Sequence, residues 1–126
     1  MADVNTQEIY DLTSKKFGIG TTGTIPDRFY GVFFSACKYI TARIRLFADG
    51  ASITTPSDLA TDFTGLDEDI FFACVSSGLD AFISSQGQWQ DEPKGDLAAI
   101  WERDLKAAQA VYQRETTAIT GRLGSL

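Results

Sequence analysis

The sequence predicts an all-α fold: a small bundle of about four helices with an extended loop between helices 2 and 3 and an extended C-terminal tail. Three observations carry this expectation. Apolar residues recur at steps of three and four along 29–47 and again along 97–112. All the prolines, Pro26, Pro56 and Pro93, fall between the periodic stretches. The 126 residues are 44% hydrophobic and 22% charged, enough for one domain whose core needs no disulfide or metal staple. The expected division is a helical domain over 1–115 and a tail over 116–126, without internal repeats.

The first helix is expected from Thr6 to Phe17. Asn5 supplies a side-chain oxygen for the free backbone N–H groups, Glu8 stands at the capping-box position, and Gly18 ends the run. Its apolar side is thin, so it should dock on the other helices. Residues 18–25 form a turn-rich loop, and Pro26 pre-sets the backbone of the second helix. The stripe of that helix is Phe29, Val32, Phe33, Ala36, Ile40, Ile44 and Phe47, with an expected end near Asp49-Gly50. Arg28, Lys38, Arg43 and Arg45 make it locally basic.

Between Gly50 and Gly65 the helical period is lost, and an extended excursion with at most a short strand around Ile53 is expected. Acids gather from Asp49 to Asp69. Pairing of this acidic stretch with Arg43 and Arg45 of the basic helix is an expectation of the sequence. Asp67 reads as the cap of a third helix, with Leu66 and Phe71 placed as a hydrophobic staple and Glu68 and Asp69 at the positive end of the helix dipole. This helix is apolar on more than one side, which predicts a central position, and should end near Gln86-Gly87. The last helix begins between Asp91 and Asp96 and carries Leu97, Ile100, Trp101, Leu105, Ala108, Val111 and Tyr112, with Glu102 and Lys106 as a surface pair. Beyond Glu115 the stripe fades.

Chemistry is sparsely encoded. There is no His, which removes imidazole bases and every His-containing zinc site. A net charge of −6 disfavours a broad phosphate-binding face. Gly18, Gly20 and Gly23 match the dinucleotide fingerprint in letters, but a helix and not a strand precedes them, and no ribose-binding acid follows at the required distance. Asp67-Glu68-Asp69 lacks the alternating oxygens of a calcium loop and reads as a helix start. Cys37 and Cys74 sit among core-type neighbours and, without a His to ionise them, read as small hydrophobes. Trp101 lies on the stripe and reads as core, whereas Trp89 fits a core or an interface equally. The start Met1-Ala2-Asp3-Val4 has no basic or apolar signal, and no apolar run approaches the ~20 residues of a bilayer span. A reduced, soluble, non-secreted protein that is not an enzyme, with no metal or cofactor, is the expectation.

The order of features carries one further reading. A short first helix leads to Gly-Thr-Ile-Pro-Asp-Arg-Phe (residues 23–29), then to a long helix ending Ile44-Arg45-Leu46-Phe47-Ala48. An Asp-rich stretch reaches Leu66-Asp67-Glu68, and Ser77-Gly78-Leu79-Asp80-Ala81-Phe82, Gly87-Gln88-Trp89 and an Ala-rich last helix follow. Over roughly residues 6–115 this layout resembles the small head-to-tail adaptor, or connector, proteins of tailed bacteriophages. The resemblance implies a structural subunit of a homo-oligomeric ring, usually a dodecamer, made in the host cytoplasm and placed in the virion neck. Such a ring docks on the portal protein and meets a tail or nozzle protein, without contact to a membrane. DNA passes through it without specific binding, and each copy would add six negative charges around the channel.

The resemblance also implies roles for residues. The terminal segment would grip the portal through Thr117, Ile119, Arg122, Leu123 and Leu126. Arg28, Arg43, Arg45, Asp58, Asp62 and Trp89 would lie at subunit interfaces, and the loop from Ala51 to Gly65 would face the next ring component. The competing reading is a helical regulatory or scaffold module that binds another protein through the Phe-rich faces of its second and third helices.

Overall fold

The computed structural model of the chain describes residues 3–18, 27–48, 53–86 and 95–124, with side chains excluded at 27, 28 and 115–124. Among the described residues, four helices and a two-stranded antiparallel sheet surround one core. In chain order they are β1 (Asp3–Val4), α1 (Thr6–Lys16), α2 (Asp27–Arg45), β2 (Phe63–Asp67), α3 (Glu68–Ser84) and α4 (Leu97–Gly124). The all-α bundle expected from the sequence is the observed architecture, with the small sheet added to it.

Helices α1, α3 and α4 start where a side chain can satisfy backbone donors that the helix itself leaves free. Asn5 accepts from the Glu8 N–H at 2.8 Å, and Asp67 accepts from Asp69 at 3.0 Å. Asp96 accepts from the Ala99 N–H at 3.1 Å at the head of α4. Leu66 and Phe71 are both buried beside the Asp67 cap, as a staple requires. Lys15 and Lys16 occupy the last turn of α1, where the dipole favours cations, and Gly18 follows with φ +70°.

The predicted stripe of α2 is the spine of the core. Phe29, Phe33, Ala36, Cys37, Ile40 and Ile44 are fully buried, and Phe47 packs on the cluster from its edge. Tyr10 of α1 meets Phe29, Phe33 and Tyr30, with ring centroids 5.7, 5.0 and 5.3 Å apart. Central helix α3 buries Phe71, Cys74, Val75, Leu79 and Ile83, and it packs most extensively on α4 and then on α2. A Cβ added at Gly78 would lie 2.7 Å from Trp101 Nε1 and 2.9 Å from Ile40 Cγ1, so only glycine allows this approach of α2, α3 and α4.

One element is unforeseen and two expectations need correction. The stretch around Ile53 contributes only an isolated bridge, Thr54 to Thr64, and the unforeseen strand lies at Phe63–Asp67, where β2 pairs with β1 (Asp3↔Asp67, Val4↔Phe63, with an irregular register between). Burial of Val4, Phe63 and Leu66 holds this pair together, a long-range cause with no local period to announce it. Next, α4 continues through Gly124, so the segment from Thr116 is helical and not extended. The apolar stripe does fade there, but no proline interrupts the backbone from Trp101 to Gly124. Finally, Glu102 pairs with Arg43 of α2 and not with Lys106, because tertiary packing brings the guanidinium within 3.0 Å.

Candidate functional site

The face where α2 and α4 meet combines exposed apolar surface with a fixed cation. Arg43 stands at its centre. Its Nη2 donates to Glu102 Oε1 at 3.0 Å, and its guanidinium lies over the Trp101 ring, 5.1 Å from the centroid. Bonds to the Tyr39 hydroxyl and then to Glu102 hold the Arg43 pKa above its ordinary value, so the cation is permanent. Tyr39 stacks at a tilt on Phe82 (5.5 Å) and on Trp101 (5.4 Å), joining α2, α3 and α4 in one aromatic cluster.

Two grooves flank this centre. One, of about 200 Å³, is lined by Arg43, Leu46, Phe47, Glu102, Leu105 and Lys106 among others. The other, of about 330 Å³, is lined by Tyr39, Ala81, Phe82, Ser85, Ala98 and Trp101. Tyr39 is 42% exposed, Leu46 79% and Ile100 37%, and these are the exposed large hydrophobic side chains of the described residues. Apolar side chains gathered around a cation–aromatic anchor, in shallow open grooves, suit the contact surface of another macromolecule.

A second polar cluster joins α1 to α3. Lys16 Nζ donates to Asp80 Oδ2 at 2.9 Å and to Ser76 Oγ at 3.1 Å. Burial pushes the Asp80 carboxyl above its ordinary pKa, and Lys16 opposes that shift. Bridging Asp80 and Ser76, Lys16 struts the end of α1 against α3. Among the described residues no group of three or more Cys, Asp or Glu side chains is placed to hold a metal ion, and Asp67 spends its oxygen on the α3 cap. Burial also raises both thiols, Cys74 to about 12.

The residues expected at subunit interfaces are scattered. Arg43 sits in the face just described. Arg45 donates to the Ile53 carbonyl at 2.8 Å, and neither arginine bonds Asp58, Asp62 or Asp67–Asp69, so among the described residues the expected ion pairing with the acidic stretch is not made, Asp49 lying outside them. The reason is local: Asp58 folds a turn by accepting from Ala60 N and Thr61 Oγ1, and Asp62 accepts from the Thr6 N–H at 3.3 Å. Arg28 lies in the first turn of α2. Thr117, Ile119, Arg122 and Leu123 lie on α4, while Trp89 and Leu126 fall outside the described residues. The sequence reading missed Tyr39, Leu46, Phe82 and Lys106 as members of the face. Leu46, next to the end of the α2 stripe and turned out of it, was the one available signal.

Among the described residues no helix is long and apolar enough to cross a membrane. No family model, curated protein or solved structure matches the chain.

Proposed function

We propose that this chain is a structural assembly subunit: a head-to-tail adaptor that forms a ring in the virion neck, docks on the portal protein, meets a tail or nozzle protein and lets DNA pass. The layout of its sequence suggests the family, and the face between α2 and α4 is the observation that carries the reading. Tyr39 and Leu46 leave apolar surface uncovered around Arg43, a composition fitted to holding another protein. The acidic balance is compatible with a channel to which DNA does not adhere.

The carboxyl-terminal part of α4, with Thr117, Ile119, Arg122 and Leu123, and Leu126 beyond it are the proposed grip on the portal. Light scattering on the full chain, alone and mixed with a portal, tests the reading. Ring-sized mass on the portal is expected, and deletion of 116–126 should leave the helical circular dichroism in place while abolishing attachment. Stable one-to-one binding to a non-structural partner would favour the regulatory or scaffold module instead.

A further inference from the structure

Charge is segregated along this chain. Residues 46–93 contain nine acids (Asp49, Asp58, Asp62, Asp67, Glu68, Asp69, Asp80, Asp91 and Glu92) and no Lys or Arg. The described side chains of α2 and α4 carry the opposite excess: Lys38, Arg43, Arg45, Arg103, Lys106 and Arg114 against Glu102 and Asp104. Among the described residues the ion pairs are Lys16–Asp80, Arg43–Glu102 and Arg103–Asp104. None joins the α2/α4 cations to the acids of 53–69. Among the described residues the two sets make no ion pair with each other within one copy.

We propose that the occupant of the Arg43–Leu46–Lys106 groove is a second copy of this chain, presenting its acidic edge from Asp58 to Asp69. The inference rests on the assembly reading above and deepens it by naming the two surfaces that meet. Glu68 and Asp69 are the acids of that edge without a hydrogen-bonded acceptor role of their own, since Asp58, Asp62 and Asp67 serve turns and caps. Leu46 supplies apolar area, and Arg43 and Lys106 supply the charge that fixes register. A contact between two different surfaces repeats head-to-tail, and closes into a ring when its rotation allows, unless a two-fold axis satisfies both surfaces at once.

Sedimentation of the full chain at low ionic strength tests this directly. The wild type is expected to self-associate, and added salt should weaken the association. Lys106→Glu, and Arg43→Glu with Lys106→Glu, should lose about tenfold or more in association constant, as should Glu68→Lys with Asp69→Lys. An equimolar mixture of the Arg43→Glu/Lys106→Glu and Glu68→Lys/Asp69→Lys variants should recover it, because the two reversed surfaces again complement each other.

Unchanged circular dichroism identifies folded variants, and Lys106→Glu alone, at an exposed site outside every ion pair described, guards against a folding failure in the others. A monomeric wild type, association that survives both reversals, or a mixture that stays apart overturns the inference. Portal capture scores the assembly reading separately. Capture without self-association sinks this inference alone, and self-association without capture sinks the portal assignment alone.

Discussion

Gly78 and Trp101 are in contact across the α3–α4 crossing: a Cβ on Gly78 would stand 2.7 Å from the indole nitrogen and 3.0 Å from Cε2. The missing side chain is what lets the indole approach α3 this closely, so the packing of α3 sets the position of the ring that Arg43 covers.

Gly78→Ala is therefore expected to destabilise the protein by about 1–3 kcal/mol, overpacking outweighing the better helix propensity of alanine. Thermal unfolding followed by circular dichroism measures it. Gly78→Ala combined with Trp101→Phe should cost less than the sum of the single changes, because phenylalanine lacks the indole nitrogen that meets the new methyl. Strict additivity would show that the crossing is looser than described.

Lys16 and Asp80 predict a pH dependence. Burial raises the folded-state pKa of Asp80, so the stability linked to its protonation is full below the unfolded value of about 3.9 and is lost as pH rises through the folded value. Lys16 opposes the shift, and Lys16→Met should enlarge it. The variant should approach wild-type stability near pH 4 and lose about 1–3 kcal/mol relative to it by pH 7. A deficit that stays constant across this range would contradict the assignment.

Both cysteines should resist alkylation in the native protein and react once guanidinium unfolds it. Unfolded thiols ionise from about pH 9, whereas burial keeps Cys37 and Cys74 protonated well beyond that, Cys74 to about 12. Stability should accordingly fall by about 1.4 kcal/mol per pH unit per thiol above pH 9. Replacing both thiols by alanine should flatten that slope in denaturant titrations.

Arg43→Ala separates binding from folding. The pair with Glu102 is solvent-facing, with 34% and 49% of the two side chains exposed, so its removal should cost no more than about 1 kcal/mol in stability. Binding of the proposed partner should suffer far more, since a cation over an aromatic anchor is the kind of group that dominates an interface. Equal, small effects on both would remove Arg43 from the surface.

What the sequence disclosed and what it withheld follow from range. Asn5, Asp67 and the α2 stripe act within a turn or two of themselves, and each was readable from spacing. The pairing of Asp3–Val4 with Phe63–Asp67 was not, because its cause is burial of residues some sixty positions apart. Lys106 is placed four residues after Glu102, as a local pair requires, yet Arg43 from another helix wins that carboxylate. The candidate face was illegible for the same reason: Tyr39, Phe82 and Trp101 come from three helices, and Lys16 on α1 and Asp80 on α3 meet only once the fold joins them.

The β1–β2 pair has a consequence for biosynthesis. At roughly 5–20 residues per second, Val4 leaves the ribosome seconds before Phe63 exists to receive it. Doubling such a separation adds only about 0.6 kcal/mol to the closure cost, so the delay is one of order and not of energy. Asp3 and Val4 thus await Phe63 to Asp67, and a bulky insertion ahead of Asp3 would burden one of the later contacts to close during translation.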